Sequence, residues 1–128
     1  MLAVRWLTAI TTVLVLLQAA MIGQALYLGE MSLLNLHGWL GSGSFLLALL
    51  LTGAAFLAVR RGELPRRVVM HGVLVVLLMV AQLGLGYMGR RGGWPAAIHI
   101  PNGVVIASLL SALLATTFLA PRATASRS

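Results

Sequence analysis

The sequence predicts an all-α membrane protein: an up-down bundle of four transmembrane helices with a two-fold internal (parallel) repeat. Three observations carry that prediction. Apolar residues make up 60% of the chain and charged residues only 9%, against about 25% charged in a soluble domain. The apolar residues fall into four runs, each of the roughly 20 residues or more that a spanning helix needs. The second half of the chain also repeats landmarks of the first. Four spans with short turns use nearly all 128 residues, so the chain is read as a single transmembrane domain, with any binding or chemistry in or at the bilayer.

The first span is expected over residues 4–28. Arg5 and the small residues near 23–25 give it some likeness to a secretory signal, but its apolar run is too long for one. The second span is expected over 33–59, with Ser32 as its N-cap. Pro65 and Pro95 suit the first turns of the third and fourth spans, 65–88 and 95–120. Pro101 lies inside the fourth span and is expected to kink it. The repeat halves are then 4–59 and 65–120, and the small polar tail 122–128 is expected to fray.

The net charge of +7 is carried by nine arginines spread over turns and ends, which is no basic face for a nucleic acid. It reads as a topology signal. Arg5, Arg60, Arg61, Arg66, Arg67, Arg122 and Arg127 fall on one side of the four spans, and only Arg90 and Arg91 on the other. The arginine-rich side is expected to face the cytoplasm. That makes a multi-pass protein of the cell inner (plasma) membrane with both termini cytoplasmic. Tyr27, Trp39, Tyr87 and Trp94 would then mark the outer interface and Trp6 the inner one. The chain has no cysteine, which excludes disulfides, thiolate metal sites and cysteine nucleophiles.

The repeat is legible in a few polar and small residues. The first span holds Gln18 and Gly23; the third holds Gln82, Gly84 and Gly86. His37 opens the second span and His99 the fourth, each with a glycine four residues on, Gly41 and Gly103, on the same helical face. Phe56-Leu57 and Phe118-Leu119 follow at the shift of 62 residues that relates the histidines. Both halves enter from the same side, so a pseudo-two-fold axis along the membrane normal exchanges His37 with His99.

Histidines inside spans are costly and point to function. Each of these lies about 6 Å below the outer end of its helix, at 1.5 Å per residue. On diagonal helices of a bundle they would face one another across a gap of roughly 11–14 Å between axes. Two inward imidazoles at that spacing leave room for one metal, and a single bis-histidine heme b suits them. The stripes Gly41, Ser44, Ala48, Thr52, Ala55 and Gly103, Ala107, Ser111, Ala115 would admit a flat macrocycle near the histidines and close helix packing below. Arg90 and Arg91 would serve heme propionates at the outer mouth, or simply be solvated. Zinc would want more ligands than the pair offers; copper(I) could add Met31 or Met88.

His71 lies near the opposite end of the third span and cannot share a metal with the pair. It and Gln82 are eleven residues apart, three helical turns, and share a face. A quinone head group or a proton path would suit that face, and so would a plain bond from His71 to the adjacent loop. Gln18 and Gln82 need partners within the bundle. They could bond one another, bond a cofactor, or join neighbouring helices.

A glutamine–glycine helix followed by a helix opening on histidine resembles one half of the heme A synthase family, with Gln82-Leu-Gly-Leu-Gly86 matching its glutamine–glycine stretch. The resemblance implies two pseudo-symmetric four-helix halves, of which this chain would be one. It implies a bis-histidine b-type heme on the second and fourth helices, here His37 and His99. It extends to small four-helix b-type membrane cytochromes that exchange electrons with quinones. The expected function is therefore electron transfer within or alongside a respiratory or photosynthetic complex. The rivals are a structural or accessory subunit of a membrane complex without a redox cofactor, a heme-modifying enzyme acting as a homodimer, and a pigment-binding subunit. The expected partners are the lipid bilayer, other subunits or a second copy, and a quinone, but no nucleic acid.

Overall fold

The computed structural model describes residues 1–90 and 92–119. Arg91 and the tail from Ala120, with Arg122 and Arg127, lie outside the described residues, so the expected end of the fourth span at 120 and the fraying of 122–128 fall there too. Four helices make up the fold: α1 Leu2–Leu28, α2 Met31–Arg60, α3 Arg66–Gly89 and α4 Trp94–Leu119. All four are long and apolar enough to cross a membrane. A helix satisfies its own backbone hydrogen bonds, which hydrocarbon cannot do for it. Leu16, Leu26, Leu50, Leu77 and Val104 point outward, a surface that water would not tolerate on this scale.

The connections are short. Gly29 ends α1 in the left-handed region at φ 69°, its N–H bonding back to the Ala25 carbonyl, as C-terminal glycines do. The chain reverses at once, so α2 starts before Ser32, with extended Glu30 as its N-cap. The expected Ser32 cap is thus corrected: its hydroxyl lies inside the first turn and bonds the Glu30 carboxylate at 3.3 Å. Pro65 sits at the N-cap of α3, one residue ahead of the helix, and α4 begins at Trp94, one residue before Pro95. α4 continues through Pro101 without a break.

Each helix packs on its two neighbours in a closed ring, α1–α2–α3–α4, and the backbones of the diagonal pairs α1/α3 and α2/α4 stay apart. The core obeys the repeat. A shift of 64 residues carries Val4, Thr8, Thr11 and Val15 onto Val68, Gly72, Val75 and Met79. A shift of 62 carries Ser44, Ala48, Leu51 and Ala55 onto Ile106, Leu110, Leu113 and Thr117. The small stripe expected on α4 is corrected by this: Ala107 is half-buried, and Ser111 and Ala115 are exposed. A constant step of four residues drifts by about 40° each time on a helix of 3.6 residues per turn, so the stripe leaves the core. The alternating steps of four and three taken by Ile106, Leu110 and Leu113 stay in it.

Ile106 and Leu110 on α4 thus stand where the repeat has the smaller Ser44 and Ala48 on α2. Between α2 and α3 the approach is close. A Cβ on Gly72 would come within 2.8 Å of the Thr52 hydroxyl and 3.4 Å of its Cα. Gly72→Val is therefore expected to destabilise the bundle by about 1–3 kcal/mol, the range for overpacking a filled core. Gly84→Ala, whose Cβ would meet nothing within 4 Å, should cost nothing or stabilise the helix slightly. Thermal unfolding of both variants in detergent checks the contrast. At the arginine-rich end, Arg5 donates to the Thr117 carbonyl at 2.8 Å and the Met1 ammonium bonds the Glu63 carboxylate.

Candidate functional site

His37 and His99 come from the diagonal helices α2 and α4, yet their rings meet, with centroids 6.2 Å apart and planes at 67°. Each ring is anchored to the helix that precedes its own. The Nδ1–H of His37 donates to the Gln18 carbonyl at 3.1 Å, and that of His99 to the Gln82 carbonyl at 3.1 Å. A carbonyl only accepts, so Nδ1 carries the proton in both rings. Nε2 is then the nitrogen with a lone pair. The spacing from glutamine to histidine is 19 residues in the first half and 17 in the second, which is why the two helix pairs repeat at shifts differing by two.

The glutamine side chains join helices within their own half and do not reach each other. Gln18 donates to the Ser44 hydroxyl at 2.8 Å and the Leu40 carbonyl at 3.4 Å. Gln82 takes a bond from Asn102 at 2.6 Å and lies 3.2 Å from the Nε2 of His99. Asn102 also donates to the Leu78 carbonyl at 3.0 Å. Asn102 occupies the carbonyl end of the Gln82 amide, so its NH2 end is the one that faces His99 and donates to Nε2.

The glycines make these contacts. A Cβ on Gly41 would lie 3.3 Å from Gln18 Oε1, and one on Gly103 would lie 3.0 Å from Gln82 Nε2. The symmetric glycines therefore seat the symmetric glutamines. Gly86 makes room for the His99 ring, since a Cβ there would stand 3.0 Å from Cε1. Gly23, which the sequence pairs with this stretch, faces open space.

Arg90 is exposed, with its guanidinium over the Tyr87 ring at 5.2 Å. It also lies 3.8 Å from where a Cβ on Gly38 would be, one residue from His37. Arg91, its expected companion, lies outside the described residues. His71 is not part of this cluster. Its Nδ1–H donates to the Arg67 carbonyl at 2.7 Å, within the first turns of α3, rather than to the adjoining loop. Among the described residues, no three histidine, cysteine, aspartate or glutamate side chains gather as a metal would require of protein alone.

Sequence reasoning missed Asn102 and Ser44, the two anchors of the glutamines. Both are polar residues within a span, which is itself a signal. Comparison with protein-family models, curated proteins and solved structures finds no match to this chain.

Proposed function

We propose that the chain is a small b-type membrane cytochrome whose His37 and His99 hold one heme through Nε2. The observation that carries this is the paired Nδ1–carbonyl bond. Metal-ligating histidines commonly donate their other ring N–H to a backbone carbonyl, which fixes the tautomer and ring orientation. The separation also fits. Two Fe–N bonds of about 2 Å, with roughly 1 Å more from each nitrogen to its ring centre, sum to about 6 Å, close to the 6.2 Å between centroids. Two imidazoles without further protein ligands suit a metal that brings its own equatorial ligands. Bound there, heme would supply one-electron transfer, which fits a role beside a larger respiratory or photosynthetic complex.

The remaining residues take their roles from the same geometry. Arg90, beside His37 at the mouth, offers a propionate its charge-assisted bond. The Gln82 amide lies against His99 Nε2 and would have to swing aside for a macrocycle to enter. A cofactor-free accessory subunit is the second reading, favoured by the bond from Gln82 that satisfies His99 Nε2 without a metal. A reduced-minus-oxidised spectrum of protein purified from membranes separates the two. A sharp b-type band supports the cytochrome; a folded, colourless protein that stays colourless after hemin titration supports the accessory subunit.

We further propose that the histidine end faces outward across the inner membrane. The support is the excess of Arg5, Arg60, Arg61, Arg66 and Arg67 at the other end, as cytoplasmic loops carry. The chain has no cysteine, so single cysteines label without background. Ser32→Cys is expected to react with an impermeant maleimide in intact cells, and Arg61→Cys only after permeabilisation. The reverse pattern would invert the topology.

A further inference from the structure

At the two positions that can anchor the glutamine, the halves of the repeat differ reciprocally. At the shift of 62 residues, Leu40 corresponds to Asn102 and Ser44 to Ile106. Each half thus has one polar anchor for its glutamine, but at a different level of the helix. In the first half the anchor is Ser44, one turn below Leu40, and it draws the Gln18 amide away from His37. In the second half the anchor is Asn102, one turn above Ile106 and on the same face as His99. It holds the Gln82 amide with its NH2 group against His99 Nε2. The Nε2 of His37 accepts no such bond among the described residues.

We propose that Gln82 and Asn102 form a clamp on His99 that competes with a metal for its Nε2, so that the two ligand positions are unequal and His99 is the exchangeable one. The second part rests on the heme reading; the first does not. Were heme bound, His99 would have a partner for its Nε2 on letting go of it, whereas His37 would have none among the described residues. An external ligand for ferrous iron, carbon monoxide being the simplest probe, would therefore displace His99. Gln82 acts here as a positioning residue, and it reaches the ligand through a hydrogen bond of modest net strength.

The test has two arms. In the heme-free protein, nitrogen NMR of the imidazoles should show Nε2 hydrogen-bonded in His99 and free of the Gln18 amide in His37. Gln82→Ala, or Asn102→Leu, which copies the first half of the repeat, should shift the His99 resonance and leave His37 in place. Gln18→Ala should leave the His99 resonance unmoved. In the heme-loaded protein, Gln82→Ala should weaken carbon monoxide binding by roughly two- to tenfold, the worth of one net hydrogen bond, with Gln18→Ala near wild type. A His99 resonance insensitive to both Gln82→Ala and Asn102→Leu overturns the clamp. A responsive resonance with unchanged carbon monoxide affinity overturns the exchange assignment. A responsive resonance in a protein that takes up no heme leaves the clamp in place, while the heme reading and the exchange assignment fail together.

Discussion

Replacing either His37 or His99 with alanine is expected to abolish the bis-imidazole heme spectrum while leaving the bundle folded. The two consequences separate because the rings lie near one end of the bundle. The continuous core lies below them, in Leu51, Val68, Val75, Ile106 and Leu110, all at most 2% exposed. Each ring ties its helix to the preceding one by a bond to a carbonyl, to which His99 adds a bond from the Gln82 amide. Polar bonds between membrane helices average about 0.6 kcal/mol and rarely exceed 2, so losing them leaves a stable protein. The effect on the metal is far larger. Loss of a group that only hydrogen-bonds a metal ligand costs about 10–100-fold in metal affinity, and loss of a ligand should exceed that. Heme content per chain after purification, read against helicity by circular dichroism, checks both halves of the expectation. Both variants should lose heme, because each removes one of the two ligands.

Gly86→Val is expected to reduce heme content nearly as far, although Gly86 offers no ligand. A Cβ there would stand 3.0 Å from His99 Cε1 and 3.4 Å from its Nδ1. The ring must give by a few tenths of an ångström for that Cβ alone, and the two further methyls of valine push it farther. The ring must turn, breaking its bond to the Gln82 carbonyl and losing its alignment with His37. A site 1 Å out of place is a common cause of lost function. Gly84 is the control. It lies two residues earlier on α3 with nothing within 4 Å of its missing Cβ, so Gly84→Val should retain wild-type heme content. Equal losses in both variants would mean that the helix, and not the ring, had been disturbed.

The spans, the repeat and the placing of the histidines on diagonal helices were legible because each follows from a short rule. Composition and run length identify spans, and the glutamine, histidine and glycine landmarks identify a two-fold repeat. The Ser32 cap was misjudged because a left-handed Gly29 lets α2 begin immediately after it, before any serine is needed. The small stripe on α4 was misjudged because stepping evenly from His99 through Ala107, Ser111 and Ala115 winds off the core face. Applying the 62-residue shift to the spacing of Ser44, Ala48 and Leu51 would have found Ile106, Leu110 and Leu113 instead. The glutamine network was out of reach for a different reason. Whether Gln82 turns towards His99 or towards its counterpart depends on Asn102, and side-chain direction between helices is set by packing that a linear pattern does not encode.

The most direct test of a shared heme is low-temperature paramagnetic resonance of the ferric protein after titration with hemin. The account predicts one heme per chain and a low-spin signal from two imidazole ligands, lost in both His37→Ala and His99→Ala. A folded wild-type protein that binds no heme, or binds it with the same signal after both histidines are replaced, would contradict it.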